Sequence, residues 1–132
     1  MTPRFDLISL VTPDLPASLA FYRRLGLDLP ADADGQPHVE AVLPGGLRMA
    51  WDALETIRSF QPGFDLPQGP GRVSLAFACE GPAEVDKVYA ELVGAGYEGG
   101  KAPWDAPWGM RYAIVHDPDG NAVDLFAALP AD

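Results

Sequence analysis

Cysteine is almost absent from this chain, which contains only Cys79. A single thiol cannot form an intramolecular disulfide, and it excludes a zinc cluster built from cysteines. Cys79 lies at the end of a predicted strand, with no evident basic side chain nearby that would favour the thiolate. We therefore interpret Cys79 as a packing residue rather than a nucleophile.

Long apolar runs are also missing. No stretch reaches the roughly 18 apolar residues that a membrane-spanning helix needs. Residues 1–6 carry an acid and have no long apolar run after their basic residue, which is unlike a secretory signal. These absences predict a cytoplasmic protein with no membrane partner.

Basic side chains are few compared with acidic ones. The chain has 9 Lys and Arg against 19 Asp and Glu, and its formal net charge is -10. Such a surface repels phosphate backbones and anionic lipid, so we expect no nucleic-acid partner. The same charge keeps a protein soluble, and it would favour a cationic ligand.

The remaining composition is that of one globular domain. The chain has 132 residues, of which 48% are hydrophobic and 21% charged. Residues 5–12 form an apolar run typical of a buried strand, and Asp14 is a plausible N-cap for a helix that ends near Gly26. Residues 38–43 and 47–51 then alternate as the two strands of a hairpin.

The second half repeats this order of strand, helix, glycine and hairpin. Residues 72–79 predict a strand, and the turn Asp117-Pro118-Asp119-Gly120 joins the strands of a second hairpin. The prediction is one domain over residues 1–132, with module one at about 1–52, a linker at 53–71 and module two at 72–132. A short helical turn is expected within the linker at residues 54–59.

Two motifs resemble those of a known family. Residues 10–27, LVTPDLPASLAFYRRLGL, are similar to the opening signature of the glyoxalase/bleomycin resistance protein/dioxygenase (vicinal oxygen chelate) superfamily. Residues 117–121, DPDGN, resemble the turn of its closing hairpin. The resemblance implies an α+β fold of two βαβββ modules that form a half-open curved mixed sheet or barrel around a cavity. It also implies a homodimer as the usual assembly.

The resemblance further identifies four positions at which metal-binding members carry ligands. In this chain they fall on Leu7, on Met49 or Arg48, on Arg72 and on Asp124. A hydrophobe offers no lone pair and a guanidinium repels a cation, and one carboxylate alone does not hold a divalent ion. We therefore expect no metal and no cofactor, as in the metal-free, ligand-binding members, which include antibiotic-sequestering proteins.

Strand alternation predicts which side chains line the cavity. If Ile8 and Leu10 pack under the helices, their neighbours in the strand point into the cavity. Trp104 and Trp108 flank a proline-containing segment that we interpret as a loop, where large rings stack on ligands, cap the barrel mouth or pack between subunits. The predicted ligand-binding residues are Leu7, Ser9, Met49, Trp51, Arg72, Trp104, Trp108, Tyr112, Asp124 and Phe126.

Several alternatives remain open at this point. Asp124 could bind a ligand amine, act as a base or pair with Arg72. The leading hypothesis is a metal-independent, small-molecule-binding protein that sequesters an aromatic or cationic compound. The alternative is a divalent-metal-dependent lyase, isomerase or dioxygenase of the same superfamily, with ligands relocated to His38, Glu40, His116 and Asp124. A third possibility is a module without a ligand, in which the aromatic residues serve only subunit contact.

Overall fold

The computed structural model of the chain describes residues 2–67 and 71–131. These residues belong to two compact units, Met1–Pro67 and Gln68–Asp132. The α+β fold predicted from the sequence is confirmed, with one mixed sheet in each unit. In the part of the chain that the structure describes, no helix has both the length and the apolar character of a membrane span.

The first unit contains a three-stranded sheet. Its elements are β1 (Leu7–Thr12), α1 (Leu15–Arg24), a 3-10 helix (Ala31–Gly35), β2 (His38–Val42), β3 (Arg48–Ala53) and α2 (Leu54–Arg58). The strand order is β1-β3-β2, with β1 parallel and β2 antiparallel to β3. The short helix expected in the linker is α2, and residues 68–70 of that linker lie outside the described residues.

Helix α1 covers one face of this sheet. The Asp14 side chain accepts a hydrogen bond from the Ala17 backbone N–H at 3.1 Å, which caps the helix as the sequence predicts. Gly26, with φ of 92°, lets the chain leave the helix in a left-handed conformation. The Tyr22 ring packs 5.5 Å from the Trp51 ring, and both side chains are fully buried. The core of this unit therefore lies between α1 and β3.

The second unit contains a four-stranded sheet. Its elements are β4 (Ser74–Ala78), α3 (Pro82–Gly94), β5 (Gly99–Ala106), β6 (Met110–His116) and β7 (Ala122–Ala128). The strand order is β4-β7-β6-β5, with β4 parallel to β7 and the other pairs antiparallel. Among residues 2–67 no strand corresponds to β5, and the 3-10 helix occupies that place in the chain.

Helix α3 packs on one face of the second sheet. Val85 and Leu92 of the helix are buried, as are Val115, Val123 and Leu125 of β6 and β7. The predicted hairpin turn is present between β6 and β7. The Asp117 carboxylate accepts hydrogen bonds from the backbone N–H groups of Asp119 and Asn121, each at 2.9 Å. These bonds fix the register between the two strands.

The prediction that both tryptophans lie in a loop is wrong for Trp104. Trp104 belongs to β5, whereas Trp108 lies in the turn between β5 and β6. Pro103 suggested a loop because proline cannot donate to a strand ladder. However, β5 is the edge strand of its sheet, where proline is tolerated, and its pairing with β6 shifts register between Lys101 and Trp104.

Candidate aromatic and carboxylate site

Four aromatic rings meet on one face of the second sheet. Trp104, Trp108 and Tyr112 lie in mutual edge-to-face contact, with ring centroids 5.4 to 5.8 Å apart. The Phe126 ring stacks on Tyr112 at 6.4 Å. Edge-to-face packing brings the positive edge of one ring to the negative face of another, which stabilises such clusters. We call the surface formed by these four residues and Asp124 the aromatic face.

Asp124 is the acidic member of the aromatic face. Its side chain is buried with 8% exposure, and its Oδ2 accepts a short hydrogen bond from the Tyr112 hydroxyl. The Ser74 hydroxyl donates to the same oxygen at 3.4 Å. Burial, followed by the bond to Asp124, raises the pKa of Tyr112 to about 12. Tyr112 is therefore a neutral hydrogen-bond donor at physiological pH.

The strand register explains why these side chains share a face. Tyr112 is paired with Trp104 on one side and with Phe126 on the other, so one row of the sheet carries three aromatic residues. The opposite face is marked by Arg111, which donates from Nε to Asp86 of α3 at 2.9 Å. Because side chains alternate along a strand, the neighbours of Arg111 point away from α3. The aromatic face is thus the side of the sheet opposite α3.

The pairing of Arg72 with Asp124, left open by the sequence, does not form. Arg72 is exposed and precedes β4, and among the described residues Asp124 has two hydroxyl partners instead. Sequence reasoning missed Ser74, the first residue of β4. The alternation of Leu75 and Phe77, which pair with the buried Val123 and Leu125, could have indicated it, since Ser74 must then point to the opposite face.

Two predicted site residues of the first unit face the wrong way. Met49 pairs with Ile8 and Trp51 with Leu10, so both lie on the face that α1 covers and both are buried there. The expectation that they share a face with Leu7 and Ser9 is therefore wrong. In the observed register Leu7 pairs with Arg48, one residue before Met49. This is the second of the two registers that the sequence of the hairpin allowed.

The face of the first sheet opposite α1 carries a chain of charged contacts instead. His38 lies between two carboxylates, with Nδ1 2.5 Å from Asp52 and Nε2 2.6 Å from Glu40. Arg48 continues the chain by donating to Glu40 at 2.6 Å and to Asp6 at 2.7 Å. Hydrogen bonds to Glu40 and then to Asp52 raise the pKa of His38 above its usual value.

Ser9 joins this charged face by donating its hydroxyl to Asp52 at 2.8 Å. Its partner is the carboxylate and not the imidazole, so Ser9, His38 and Asp52 do not form the arrangement in which a histidine activates a serine. Leu7, at the start of the same strand, is partly exposed and offers only an apolar side chain.

The residues at the metal positions of the superfamily do not fit a divalent cation. Leu7 has no donor atom, Arg48 or Met49 provides no carboxylate, and Arg72 is a cation. Of the proposed relocated ligands, His38 and Glu40 pair with each other in the first unit. In the second unit, His116 lies 2.6 Å from Glu98 while Asp124 is bonded to Tyr112. Within residues 2–67 and 71–131, no group of three or more His, Cys, Asp or Glu side chains is arranged for a metal ion.

Comparison with known proteins gives the same overall picture of the chain. The family model described as Glyoxalase/Bleomycin resistance protein/Dioxygenase superfamily matches residues 4–125. A solved glyoxalase/bleomycin resistance protein/dioxygenase from Nocardioides is 28% identical, with a TM-score of 0.75 over 100% of this chain and 87% of that one. No curated protein matches the chain.

Two further solved structures share the fold at lower identity. A glyoxalase/bleomycin resistance protein/dioxygenase family enzyme from Burkholderia phytofirmans is 22% identical, with a TM-score of 0.81 over 96% of this chain and 100% of that one. A glyoxalase-related enzyme from Fulvimarina pelagi is 23% identical, with a TM-score of 0.78 over 96% and 88%. These likenesses concern the fold and not the chemistry.

Proposed function

The chain belongs to the glyoxalase/bleomycin resistance protein/dioxygenase superfamily, and on this basis we propose that it binds a small aromatic or cationic molecule without a metal ion. The observation that carries the proposal is the aromatic face, where four rings pack together and one of them, Tyr112, donates a hydrogen bond to a buried carboxylate. Small-molecule sites commonly combine an apolar, aromatic lining with a few polar groups of this kind.

The exposure of Trp108 supports a ligand that stacks on the cluster. Trp108 is 57% exposed although it belongs to a ring cluster whose other members are partly buried. A planar molecule would cover this indole and remove its apolar surface from water. If the molecule carries a positive charge, the ring faces add a cation–π attraction of about 0.5–2 kcal/mol.

The carboxylate supports a cationic group on that ligand. Asp124 is largely removed from water, and a buried acid is stabilised by a cation brought close to it. The formal net charge of -10 adds a long-range attraction for cations. We place the ring system of the ligand against Trp104 and Trp108, and its cationic group toward Asp124.

A matched pair of probes tests this proposal. N-methylacridinium and neutral acridine have nearly the same ring system, so isothermal titration calorimetry of both isolates the contribution of charge. We expect the cation to bind more tightly, Trp108→Ala to weaken both probes about tenfold, and Asp124→Asn to weaken the cation selectively. Asp65→Asn, which removes the same charge from an exposed residue of the first unit, is the control.

The proposal would be overturned if neither probe bound. It would also be overturned if Trp108→Ala left the affinity for both probes unchanged. Metal independence has its own test, which is metal analysis of protein purified without a histidine tag. One tightly held metal ion per chain would favour the lyase, isomerase or dioxygenase alternative. Binding that persists at the same affinity in excess chelator supports the metal-free proposal.

The homodimer implied by the family resemblance is also part of the proposal. Phe5, Val42 and Val73 expose 71%, 73% and 71% of their surface, and they supply apolar area that a second copy of the chain would remove from water. Sedimentation equilibrium of the whole chain is expected to give twice the mass of 14.1 kDa. A single species at the monomer mass would contradict this assembly.

A further inference from the structure

Lys101 lies at the aromatic face and has an unusual partner. Its Nζ lies 5.1 Å from the centroid of the Trp104 ring. The chain has 19 acidic side chains, yet among the described residues no carboxylate forms an ion pair with Lys101. The face of an indole ring attracts the ammonium group electrostatically. It does not provide hydrogen-bond acceptors for the three N–H groups of the lysine. Lys101 is exposed, and its N–H groups are available to an anion.

The register of the sheet places Lys101 and Asp124 at the two ends of one row. Lys101 pairs with Ile114 on the neighbouring strand, and Ile114 pairs with Asp124. Since adjacent strands are about 4.8 Å apart, the two backbone positions are separated by about 10 Å. The next row, Trp104, Tyr112 and Phe126, is aromatic throughout. A positive and a negative group therefore border the same ring surface, with an apolar residue between them.

Asp124 retains an unused acceptor. Both hydroxyl donors, from Tyr112 and Ser74, bond to its Oδ2, and among the described residues no hydrogen bond to its Oδ1 is found. A carboxylate can accept about four hydrogen bonds, so Oδ1 can still accept a hydrogen bond from an N–H group of a ligand. Each end of the row thus has one charged group with free hydrogen-bonding capacity.

We propose that the ligand of the aromatic face is an aromatic zwitterion, with an ammonium group bound by Asp124 and a carboxylate bound by Lys101. This inference rests on the proposed function and narrows its ligand class. A ligand with a positive charge alone would be placed beside the ammonium of Lys101, which repels it. If the ligand also carries a carboxylate, that group forms an ion pair with Lys101, while the ammonium group of the ligand binds Asp124 at the other end of the row.

Three small probes separate the contributions of the two charges. The probes are para-aminomethylbenzoate, which carries both charges, its methyl ester, which keeps only the ammonium, and para-methylbenzoate, which keeps only the carboxylate. Dissociation constants are measured by quenching of tryptophan fluorescence at low salt. We expect the zwitterion to bind about tenfold more tightly than either singly charged probe.

Lys101→Met is the decisive variant, because it keeps the length of the apolar stem while removing the charge. It is expected to weaken the zwitterion about tenfold and to leave the methyl ester unchanged or more tightly bound. Lys87→Met is the matched control, since Lys87 is an exposed residue of α3, on the other side of the sheet. It should alter none of the three affinities.

The inference and the proposed function fail in different ways. If the methyl ester binds but the zwitterion binds no more tightly, or if Lys101→Met leaves the zwitterion unaffected, the zwitterion inference is overturned and the proposed function stands. If Lys101→Met strengthens every ammonium probe, Lys101 is a competitor for the cation site, and the inference is likewise overturned. If none of the three probes binds while N-methylacridinium does, the zwitterion inference is overturned and the proposed function stands; the proposed function fails only by its own test with the acridine probes.

Discussion

Tyr112 and Asp124 show how much depends on a single hydroxyl. The Tyr112 hydroxyl donates to a carboxylate that is 8% exposed, so its removal leaves a buried charge with a weaker donor. We expect Tyr112→Phe to lower the free energy of unfolding by about 1–3 kcal/mol in urea titrations. A double-mutant cycle with Asp124→Asn should show coupling between the two residues, and purely additive effects would contradict the bond.

The raised pKa of the Tyr112 hydroxyl implies that the free energy of unfolding depends on pH in the alkaline range. The pKa of Tyr112 is raised from 10.0 to about 12 in the folded protein. Its contribution is therefore fully present below pH 10 and is lost as pH rises toward about 12. The difference in stability between wild type and Tyr112→Phe should shrink over this window. A difference that stays constant would mean that Tyr112 titrates normally.

Two tryptophans of the predicted site have opposite physical roles. Trp51 is fully buried against α1, whereas Trp108 is 57% exposed. Trp51→Ala is expected to destabilise the fold by about 3–5 kcal/mol, because it leaves a large cavity. Trp108→Ala should cost less, about 1–2 kcal/mol, because it removes two edge-to-face ring contacts from an indole that is largely exposed. Thermal or urea unfolding of both variants measures the contrast, and equal effects would contradict the assignment of Trp51 to the core.

At the scale of elements, His38 connects strands β2 and β3 through its bond to Asp52. Its pKa is raised in the folded state by Glu40 and Asp52. The stabilisation from the imidazolium is therefore complete below its ordinary pKa of 6.5 and is lost as pH rises through the higher folded value. His38→Gln should reduce stability at mildly acidic pH and have little effect at alkaline pH.

Nuclear magnetic resonance titration of the His38 ring gives an independent measurement. Its midpoint should lie above 6.5 in wild type and move down in Glu40→Gln, because Glu40 is the larger cause of the shift. The Glu98→Gln variant, which changes the carboxylate beside His116, is the control. A midpoint for His38 at or below its ordinary value would contradict the bonds to both carboxylates.

At the scale of the whole molecule, the net charge of -10 should govern how fast a cation arrives. The screening length falls from about 30 Å at 0.01 M ionic strength to about 8 Å at 0.15 M. The association rate of N-methylacridinium, followed by stopped-flow fluorescence, should therefore fall over this range while that of neutral acridine stays constant. Equal salt dependence of the two rates would exclude electrostatic steering.

Much of the fold could be predicted because its signals are local. The cap at Asp14, the left-handed Gly26 and the turn from Asp117 to Gly120 act over a few residues, and each appears where the sequence indicates. Alternation likewise predicted that Tyr112, Asp124 and Phe126 would share a face. These residues lie on β6 and β7, which pair with each other, and the local turn between the two strands sets their register.

Which side of β3 faces α1, and what surrounds Asp124, were decided only by tertiary structure. A shift of one residue in a hairpin exchanges the two faces of a strand, and the loop pattern Pro44-Gly45-Gly46 does not fix that shift. The parallel pairing with β1, formed by residues more than 40 positions apart, puts Met49 and Trp51 in the core. In the same way, Ser74 and Lys101 reach the aromatic face through strand pairing across the sheet, which no local pattern encodes.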